Sequence, residues 1–460
     1  MRTTPTALTI AGSDSGGGAG IEADLKTFAA LGVHGLVALT SVTAQNTQEV
    51  RLAYDLPPEV VVAQIEAVAD DIGVDAAKTG MLSNSKIIKA VAGAVKRYGF
   101  PLIVDPVMVA KSGAPLLRPD AVETLINELI PLATVVTPNR FEAEKITGIK
   151  VQSINDAKKA ARYIVEELGA EAAVVKGGHL EGSESADVLY WRGDFKVFTV
   201  PRIHGGCYHG TGCTFSAAIA AELAKGKVIS EAIKIAKDFV TVAIKYGLRD
   251  IGRGHCPVHP PAWVMIPAEN WKVVQDLRRA IEILEEHGEL INPLLPEVQM
   301  NVVVALPKHY ARGVDDVAGV LGRVVRYGNK VKAVGPPTFG ASSHLARAVL
   351  KVMEYDPSMR AALNIKYSED VLEAAGKLGL KTSFYDRSEE PPEVKVREGA
   401  TIPWGIEVAI KRVEGTVPDL IFHKGDVGKE PMINIFGKSA VDVVMKLIKI
   451  AEQLRAGRHT

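Results

Sequence analysis

The stretch His209-Gly210-Thr211-Gly212-Cys213-Thr214 runs directly into an apolar segment, residues 215–224, whose composition favours a helix. A glycine-rich turn at a helix start directs free backbone N–H groups to one point, where a phosphoryl group can be held. The turn also places the Cys213 thiol in the first helical turn, where the helix dipole favours the thiolate. The stretch therefore predicts an anion-binding turn beside a proton acceptor. The alternative is an ordinary helix start with a small buried cysteine.

Length and composition indicate a globular chain of two or three domains, because domains average about 150 residues and this chain has 460. Basic and acidic side chains balance at 54 each, so we expect neither nucleic acid nor membrane as a partner. The first ten residues do not have the features of a signal peptide. Cys207, Cys213 and Cys256 show neither metal-ligand nor disulfide spacing, so we expect a cytoplasmic protein with reduced thiols.

The first half of the chain alternates between short apolar runs and helix-like segments. Strands are predicted at residues 7–10, 36–42, 76–79, 102–104, 134–136 and 172–175. Helices are predicted at residues 21–31, 58–70, 85–98, 121–129, 142–146 and 155–168. This alternation predicts an α/β fold, a mainly parallel sheet with helices on both faces, whose ligands bind beyond the carboxyl ends of the strands.

A proline-rich segment, residues 254–261, interrupts this pattern and indicates a domain end. We predict a first domain over residues 1–256, a linker over 257–269 and a second, smaller α/β domain over 270–460. In the second domain, helices are predicted at 267–287 and 439–454, the first of which begins within the linker. Strands are predicted there at residues 298–305, 332–334, 406–411, 420–422 and 432–436. Residues 386–398, charged and proline-containing, are predicted to form a surface loop.

Polar residues follow several strands of the first domain. The glycine-rich loop 12–20 matches neither nucleotide-binding fingerprint, but Asp24 and Gln45 could together read the donors and acceptors of a flat heterocycle. Asp105 ends an apolar strand, and Asn139 and Glu142 lie three residues apart on one helix face, a set that suits a hydrated magnesium near nucleotide phosphates. A solvated helix residue, a helix cap and an ordinary turn are the alternatives.

The motifs of the first domain closely resemble those of hydroxymethylpyrimidine and phosphomethylpyrimidine kinases of the ribokinase-like fold, over residues 6–254. The segments that carry the resemblance are 11–20, 23–27, 43–47, 78–82, 105–108, 110–113, 176–179 and 209–214. The resemblance implies two ATP-dependent phosphorylations, first of 4-amino-5-hydroxymethyl-2-methylpyrimidine and then of its phosphate, with ATP as co-substrate and magnesium as the metal.

The resemblance also implies roles for individual residues. Gly210, Thr211 and Gly212 would form the anion hole, and Cys213 would take the position of the base. Contacts to the pyrimidine substrate would come from Gly12, Asp24, Gln45, Met81 and Val107. Nucleotide contacts would come from Lys111, Asn139 and Lys176, and the magnesium ligands would be Asp105 and Glu142.

In the second domain, the glycine-containing loop 335–340 leads through Ser342, a good helix cap, to His344 and Arg347 in a first helical turn. Residues 321–330 add further positive charge, for which a solvated basic face is the alternative. Residues 271–454 resemble a thiamine-phosphate synthase domain, on the segments 315–319, 322–323, 335–348, 403–405, 418–419, 426 and 428.

That resemblance implies that the nitrogen of hydroxyethylthiazole phosphate attacks the pyrimidine methylene as pyrophosphate leaves. Arg323 and His344 would be the decisive pair, and Arg347 and Asp426 would be weaker candidates. One alternative makes the second domain a thiamine-phosphate sensor without catalysis. Another keeps the fold but takes pyridoxal or a sugar as substrate, although Cys213 and Gln45 weigh against it. A homo-oligomer is expected only by analogy with other proteins of this fold.

Overall fold

The computed structural model describes residues 3–110, 112–178, 182–426 and 428–457. The chain divides into two compact units, Met1–Met265 and Ile266–Thr460. The boundary falls inside the segment 257–269, and the second part of that segment belongs to a helix, Ala262–Glu286, that contains Pro267. Within the described residues, no helix combines the length and the hydropathy that crossing a bilayer requires.

The first unit is built on a mainly parallel sheet. Its strands, with those of a separate β3–β4 hairpin, are β1 (Thr6–Ala11), β2 (His34–Leu39), β3 (Ser41–Gln45), β4 (Val50–Asp55), β5 (Ala76–Thr79), β6 (Leu102–Val104), β7 (Val135–Val136), β8 (Ala172–Val175), β9 (Glu184–Trp191) and β10 (Asp194–Pro201). The order in the sheet is β10-β9-β8-β7-β6-β5-β1-β2. The six neighbouring strands β2, β1, β5, β6, β7 and β8 pair in parallel. Strand β9 pairs antiparallel with β8, and β10 pairs antiparallel with β9. The predicted fold class is confirmed.

Helices cover both faces of this sheet. Successive strand residues point to opposite sides, and in the central strands both sets are apolar, so each face must be buried against helices. The helices are α1 (Gly20–Ala30), α2 (Pro58–Asp71), α3 (Ser85–Tyr98), α4 (Ala121–Thr124), α5 (Arg140–Thr147), α6 (Ile154–Glu166), α7 (Thr211–Ala224) and α8 (Ile229–Lys245). In β8, Ala172 and Val174 belong to the core formed with α1, α7 and α8. Ala173 and Val175 belong to the core on the other face, formed with α2, α3 and α6.

The second unit is a smaller α/β structure with a mainly antiparallel sheet. Its helices are α9 (Ala262–Glu286), α10 (Gly288–Ile291), α11 (Ser343–Tyr355), α12 (Glu369–Lys377), α13 (Pro392–Lys395), α14 (Thr401–Lys411) and α15 (Ala440–Gly457). Its strands are β11 (Val302–Ala305), β12 (Val317–Val320), β13 (Val324–Tyr327), β14 (Lys330–Ala333), β15 (Pro337–Phe339), β16 (Ala361–Lys366), β17 (Thr382–Phe384), β18 (Leu420–His423) and β19 (Met432–Gly437). The sheet order is β15-β12-β11-β16-β19-β18-β17, and β13 and β14 form a hairpin.

Three local predictions for the second unit differ from the structure. Residues 406–411, predicted as a strand, lie in α14, where Ile406, Ala409 and Ile410 are buried at helical spacing on one face. Ser342 precedes α11, but its side chain makes no capping hydrogen bond. The segment predicted as a surface loop, residues 386–398, contains α13 and a short 3-10 turn, Arg387–Glu389.

Candidate functional site

The predicted anion turn forms the start of α7 in the first unit. Gly210 has a φ of 85°, and a Cβ built on it would lie 1.8 Å from the carbonyl oxygen of Gly18. Only glycine fits that backbone conformation and that approach. Among the described residues, the N–H groups of Gly212 and Cys213 have no hydrogen-bond acceptor. These two donors at the positive end of a helix of 14 residues can hold an anion.

A buried Asp14–His209 pair joins this turn to the glycine-rich loop. His209 Nε2 lies 3.0 Å from Asp14 Oδ2, and Asp14 also accepts the N–H groups of Gly16, Gly18 and Ala19. Burial raises the pKa of Asp14, but the hydrogen bonds from His209, Gly16 and Ala19 outweigh it and hold that pKa below the usual value. The aspartate therefore fixes the loop to the turn in its ionised form.

Cys207 and Cys256 form a disulfide, so the expectation of three reduced thiols is wrong for this pair. The two cysteines are 49 residues apart in sequence, so their spacing does not indicate a disulfide. The pairing depends on tertiary contacts between the turn and the proline-rich segment. His209 N–H donates to the carbonyl of Cys256, and Val258 N–H donates back to the carbonyl of His209. The disulfide therefore fastens the backbone beside the anion turn.

Cys213 carries the remaining free thiol, which is partly buried. Burial raises the pKa of the thiol to about 11, the Lys78 ammonium opposes that rise, and Asp24 and Asp105 add to it. The prediction that the helix dipole favours the thiolate is therefore wrong for the ligand-free protein, in which Cys213 is a thiol at neutral pH. Burial, Asp24 and Asp105 together outweigh the Lys78 ammonium and the hydrogen bond from the Gly20 backbone.

Asp24 does not reach the cavity wall and is enclosed beneath it, contrary to its predicted contact with substrate. It is fully buried, accepts the Thr9 hydroxyl at 2.7 Å and forms an ion pair with Lys78 at 2.9 Å. Lys78, its partner, does line the cavity. A lysine within the buried strand Ala76–Thr79 needs a buried anion, and that signal in the sequence could have identified both residues.

A cavity of about 1060 Å³ opens over the anion turn. Its wall brings together the predicted site residues Gly12, Gln45, Met81, Asp105, Val107, Asn139, Glu142, Lys176, Gly210, Thr211, Gly212 and Cys213. A Cβ on Gly12 would lie 3.2 Å from the Met81 sulfur, so these two form one side of the wall. The cavity is large enough for a nucleotide and a small ring together. Lys111 lies outside the described residues.

Asp105 and Lys176 meet beside the anion turn. Lys176 Nζ lies 3.1 Å from Asp105 Oδ1, and a Cβ on Gly212 would come within 3.4 Å of the same ammonium. Asp105 also accepts the hydroxyls of Thr137 and Ser216. This places a partly buried cation and a buried carboxylate next to the two open N–H donors.

The residues present fit a magnesium ion held mainly by water and phosphate. Burial raises the pKa of Glu142 to about 7, Lys176 opposes that rise, and Asp105 adds to it, so Glu142 is a buried carboxylate whose charged form a bound cation would stabilise. Among the described residues, no three histidine, cysteine or acidic side chains cluster as a metal site. Magnesium commonly uses only one or two carboxylates with substrate phosphates, so Asp105 and Glu142 suffice as protein ligands.

Asn139 has a structural role that was one of the alternatives for it. Its side-chain oxygen accepts the N–H groups of Phe141 and Glu142 at the start of α5, and Glu142 accepts the Asn139 N–H in return. This capping box fixes Glu142 at the cavity wall.

The predicted residues of the second unit form a group of like charges. Partial burial lowers the pKa of His344, and so do the neighbouring cations Arg347, Lys429, Arg323 and Arg387. Arg323 has a φ of 74°, which is rare for a residue with a side chain and is often found at functional sites. Arg387 and Lys429 were missed, because nothing in the local sequence separates them from surface cations. Asp426 is paired with Lys429 through backbone hydrogen bonds.

The fold and the first site define the class of protein: a ribokinase-like α/β structure with a glycine turn that can hold an anion. The family described as phosphomethylpyrimidine kinase matches residues 14–259, and the family described as thiamine-phosphate synthase ThiN matches residues 276–449. A hydroxymethylpyrimidine/phosphomethylpyrimidine kinase of Rhizobium meliloti is 51% identical over 258 residues, 56% of this chain and 97% of that protein. The chain belongs to the phosphomethylpyrimidine kinase family.

Further similar proteins include a bifunctional protein and two solved kinase structures. The thiamine biosynthesis bifunctional protein ThiED of Geobacter sulfurreducens is 48% identical over 253 residues, 55% of this chain and 51% of that protein. Among solved structures, an ADP complex of Bacillus subtilis pyridoxal kinase has a TM-score of 0.54 and 40% identity, covering 57% of this chain and all of that one. Staphylococcus aureus pyridoxal kinase in complex with pyridoxal has a TM-score of 0.53 and 41% identity, covering 57% of this chain and 95% of that one.

Proposed function

We propose that the chain is a bifunctional enzyme of thiamine biosynthesis. The first unit phosphorylates 4-amino-5-hydroxymethyl-2-methylpyrimidine and then its phosphate, using ATP. The second unit condenses the resulting diphosphate with hydroxyethylthiazole phosphate, giving thiamine phosphate and pyrophosphate. The observation that carries the kinase proposal is one cavity in which an anion turn, a Lys176–Asp105 pair and a wall of Gly12, Gln45 and Met81 meet.

In the first phosphorylation the substrate hydroxyl oxygen bonds to the terminal phosphorus of ATP, the bond to ADP breaks and the hydroxyl proton leaves. The N–H groups of Gly212 and Cys213 stabilise the charge on the transferred group, and Lys176 adds a fixed positive charge beside it. Cys213 is the candidate acceptor of the hydroxyl proton, a role that requires its thiolate form; burial opposes that form and the Lys78 ammonium favours it. Because the transition state is largely dissociative, positioning and charge contribute more than early proton removal.

Asp105 and Glu142 would hold magnesium, which neutralises charge on the transferring phosphate. The second phosphorylation differs from the first because a phosphate oxygen is the nucleophile. At neutral pH that oxygen has little need of a base, so the anion turn and Lys176 act without Cys213. The role of Cys213 is thereby limited to the step with a neutral hydroxyl.

In the second unit, the thiazole nitrogen forms a bond to the methylene carbon as the carbon–oxygen bond to pyrophosphate breaks. Negative charge grows on the departing group. Arg323 and His344 stabilise it, with Arg347 nearby, and the cationic surroundings of His344 are what support this assignment. Asp426 is a weaker candidate in this site.

One incubation separates these activities. Purified protein receives the hydroxymethylpyrimidine, ATP, magnesium and thiazole phosphate, and thiamine phosphate is measured. Leaving out the thiazole phosphate should make the pyrimidine diphosphate accumulate. Formation of the diphosphate without thiamine phosphate would instead support a second unit that only senses thiamine phosphate.

Pyridoxal is the second candidate substrate of the first unit, because the structural neighbours at 40–41% identity are pyridoxal kinases. Competition between pyridoxal and the pyrimidine for phosphorylation decides between them. We expect the pyrimidine to be preferred, since the Rhizobium meliloti pyrimidine kinase is 51% identical to this chain.

A further inference from the structure

A second buried ion pair lies in the cavity wall of the first unit and has no role in the chemistry described so far. Lys237 of α8 and Asp187 of β9 are 5% and 4% exposed, and their charged atoms lie 2.8 Å apart. Lys237 also donates to the Ser185 hydroxyl at 3.1 Å. Ser185, Asp187 and Lys237 all line the cavity. A pair this deeply buried is costly to desolvate and often adds little net stability, which prompts a search for another function.

The pair is connected to Lys176 by one backbone hydrogen bond. Asp187 uses one oxygen for Lys237 and the other for the N–H of Gly177, at 2.9 Å. Gly177 directly follows Lys176, and a Cβ on it would lie 1.7 Å from the carbonyl oxygen of Ala186. The backbone at Gly177 is thus pressed against β9 and tied to it by Asp187. Lys176 itself projects to Asp105 and the anion turn.

We propose that Asp187 and Lys237 are positioning residues that hold the Lys176 ammonium beside the anion turn for the triphosphate of the nucleotide. Lys237 orients the carboxylate of Asp187, Asp187 fixes the N–H of Gly177, and Gly177 fixes the direction of Lys176. Because Lys176 meets the nucleotide and not the pyrimidine, the pair controls nucleotide affinity selectively. This inference rests on the proposed kinase function.

Two double variants test it, both of which remove the buried charges. Asp187→Asn with Lys237→Met keeps an oxygen that accepts the Gly177 N–H, whereas Asp187→Leu with Lys237→Met keeps the volume but has no acceptor. We expect the leucine variant to raise the KM for ATP tenfold or more, the asparagine variant to restore it to within threefold, and both to leave the KM for the pyrimidine unchanged. Equal KM values for ATP in the two variants would overturn the proposal.

Further measurements keep the test decisive. Lys234→Met, an exposed lysine on the same helix, is the matched control and should leave both KM values unchanged. If the leucine variant does not fold, Asp187→Ala with Lys237→Met, which also lacks an acceptor for the Gly177 N–H, takes its place and should raise the KM for ATP at least threefold above that of the asparagine variant; equal KM values in these two variants count against the proposal. A wild-type protein that phosphorylates no pyrimidine would contradict the proposed function instead.

Discussion

The two candidate sites differ in how their charged side chains are arranged. In the first unit, three buried carboxylates each meet a basic side chain, in the pairs Asp14–His209, Asp24–Lys78 and Asp105–Lys176. In the second unit, His344 lies at the surface with its ring partly desolvated and is surrounded by cations, so the electrostatic influences on its pKa all come from positive groups. The first site is organised before a ligand arrives, whereas the second has an excess of positive charge that an anion must neutralise.

This difference indicates where each site obtains its selectivity. Paired buried charges fix positions, so the first site can discriminate by geometry and by hydrogen bonds to a ring. Clustered cations attract any polyanion, so we expect the second site to depend on the charge of the diphosphate and the thiazole phosphate. Changes in the first unit should therefore alter one step at a time, while changes in the second should follow net charge.

The largest expected effect concerns Cys213 and the first phosphorylation. Cys213→Ala should lower the rate of hydroxymethylpyrimidine phosphorylation by about 10²- to 10⁴-fold, the range for loss of a general base. Phosphorylation of the phosphomethylpyrimidine should fall much less, because its nucleophile has little need of a base. Steady-state rates for the two substrates, measured separately, give the comparison.

Pyrimidine binding provides the control for that variant. Its dissociation constant should stay close to the wild-type value, because the thiol is not proposed to hold the ring. Equal loss of both phosphorylation rates would show that Cys213 acts on the phosphoryl group rather than on the hydroxyl proton.

The disulfide tests how strongly the first unit is organised. Joining residues 49 apart should stabilise the folded unit by about 4 kcal/mol, roughly a thousandfold in the unfolding equilibrium, in the chain-entropy description. Cys207→Ser combined with Cys256→Ser should lower the denaturant midpoint of this unit by a corresponding amount. Cys213→Ser, which leaves the disulfide in place, is the matched control; a double variant as stable as the control would rule out this contribution.

The second unit should respond to loss of single cations. Arg323→Ala and His344→Ala should each lower thiamine phosphate formation by about 10²-fold when the pyrimidine diphosphate is supplied directly, the lower end of the loss for a transition-state donor. Both variants should keep the wild-type kinase rates, because those residues belong to the other unit. Full synthase rates in both variants would remove the assignment.

Glu142 gives a smaller, pH-dependent effect in the first site. Burial first, and Asp105 second, keep its pKa near 7 against the opposing Lys176, so the carboxylate loses its charge as the pH falls from 8 to 6. The magnesium concentration for half-maximal kinase activity should rise as the pH falls below 7, by up to about tenfold per unit. Glu142→Gln, which keeps an acceptor for the Asn139 N–H, should weaken that dependence; an identical pH profile in the variant would contradict a metal-binding role.

Much of the first unit could be predicted from sequence because its signals are local. The strands 76–79, 102–104 and 172–175 coincide with β5, β6 and β8, and the helix 85–98 coincides with α3. Their apolar runs are continuous and end at turn residues. The glycine turn at residues 209–214 could also be predicted, because the backbone conformation of such a turn requires glycine, as at Gly210.

The remainder depends on contacts between distant residues. Cys207 and Cys256 pair only because the fold brings the proline-rich segment to the anion turn. Asp24 resembles a helix residue facing solvent until Lys78 is placed beside it. The pKa of Cys213 depends on Asp24, Asp105 and Lys78 together, so the helix-dipole argument, which considers one element alone, gave the wrong direction.

The smallest expected effect tests the excess of positive charge around His344 directly. Its pKa is lowered by partial burial and by neighbouring cations, so at neutral pH the free imidazole is uncharged. A bound polyanion favours the charged form and raises the pKa, so binding of inorganic pyrophosphate takes up more protons as the pH falls from neutral. The affinity for pyrophosphate should then increase a few-fold more between pH 7.5 and 6 in the wild type than in His344→Asn. Calorimetric titrations at both pH values measure this difference. The protonation of pyrophosphate itself affects both proteins equally, so comparison with the asparagine variant removes its contribution. The same pH dependence in both proteins would mean that His344 does not meet the anion, and the two sites would then not differ in the way that their charges indicate.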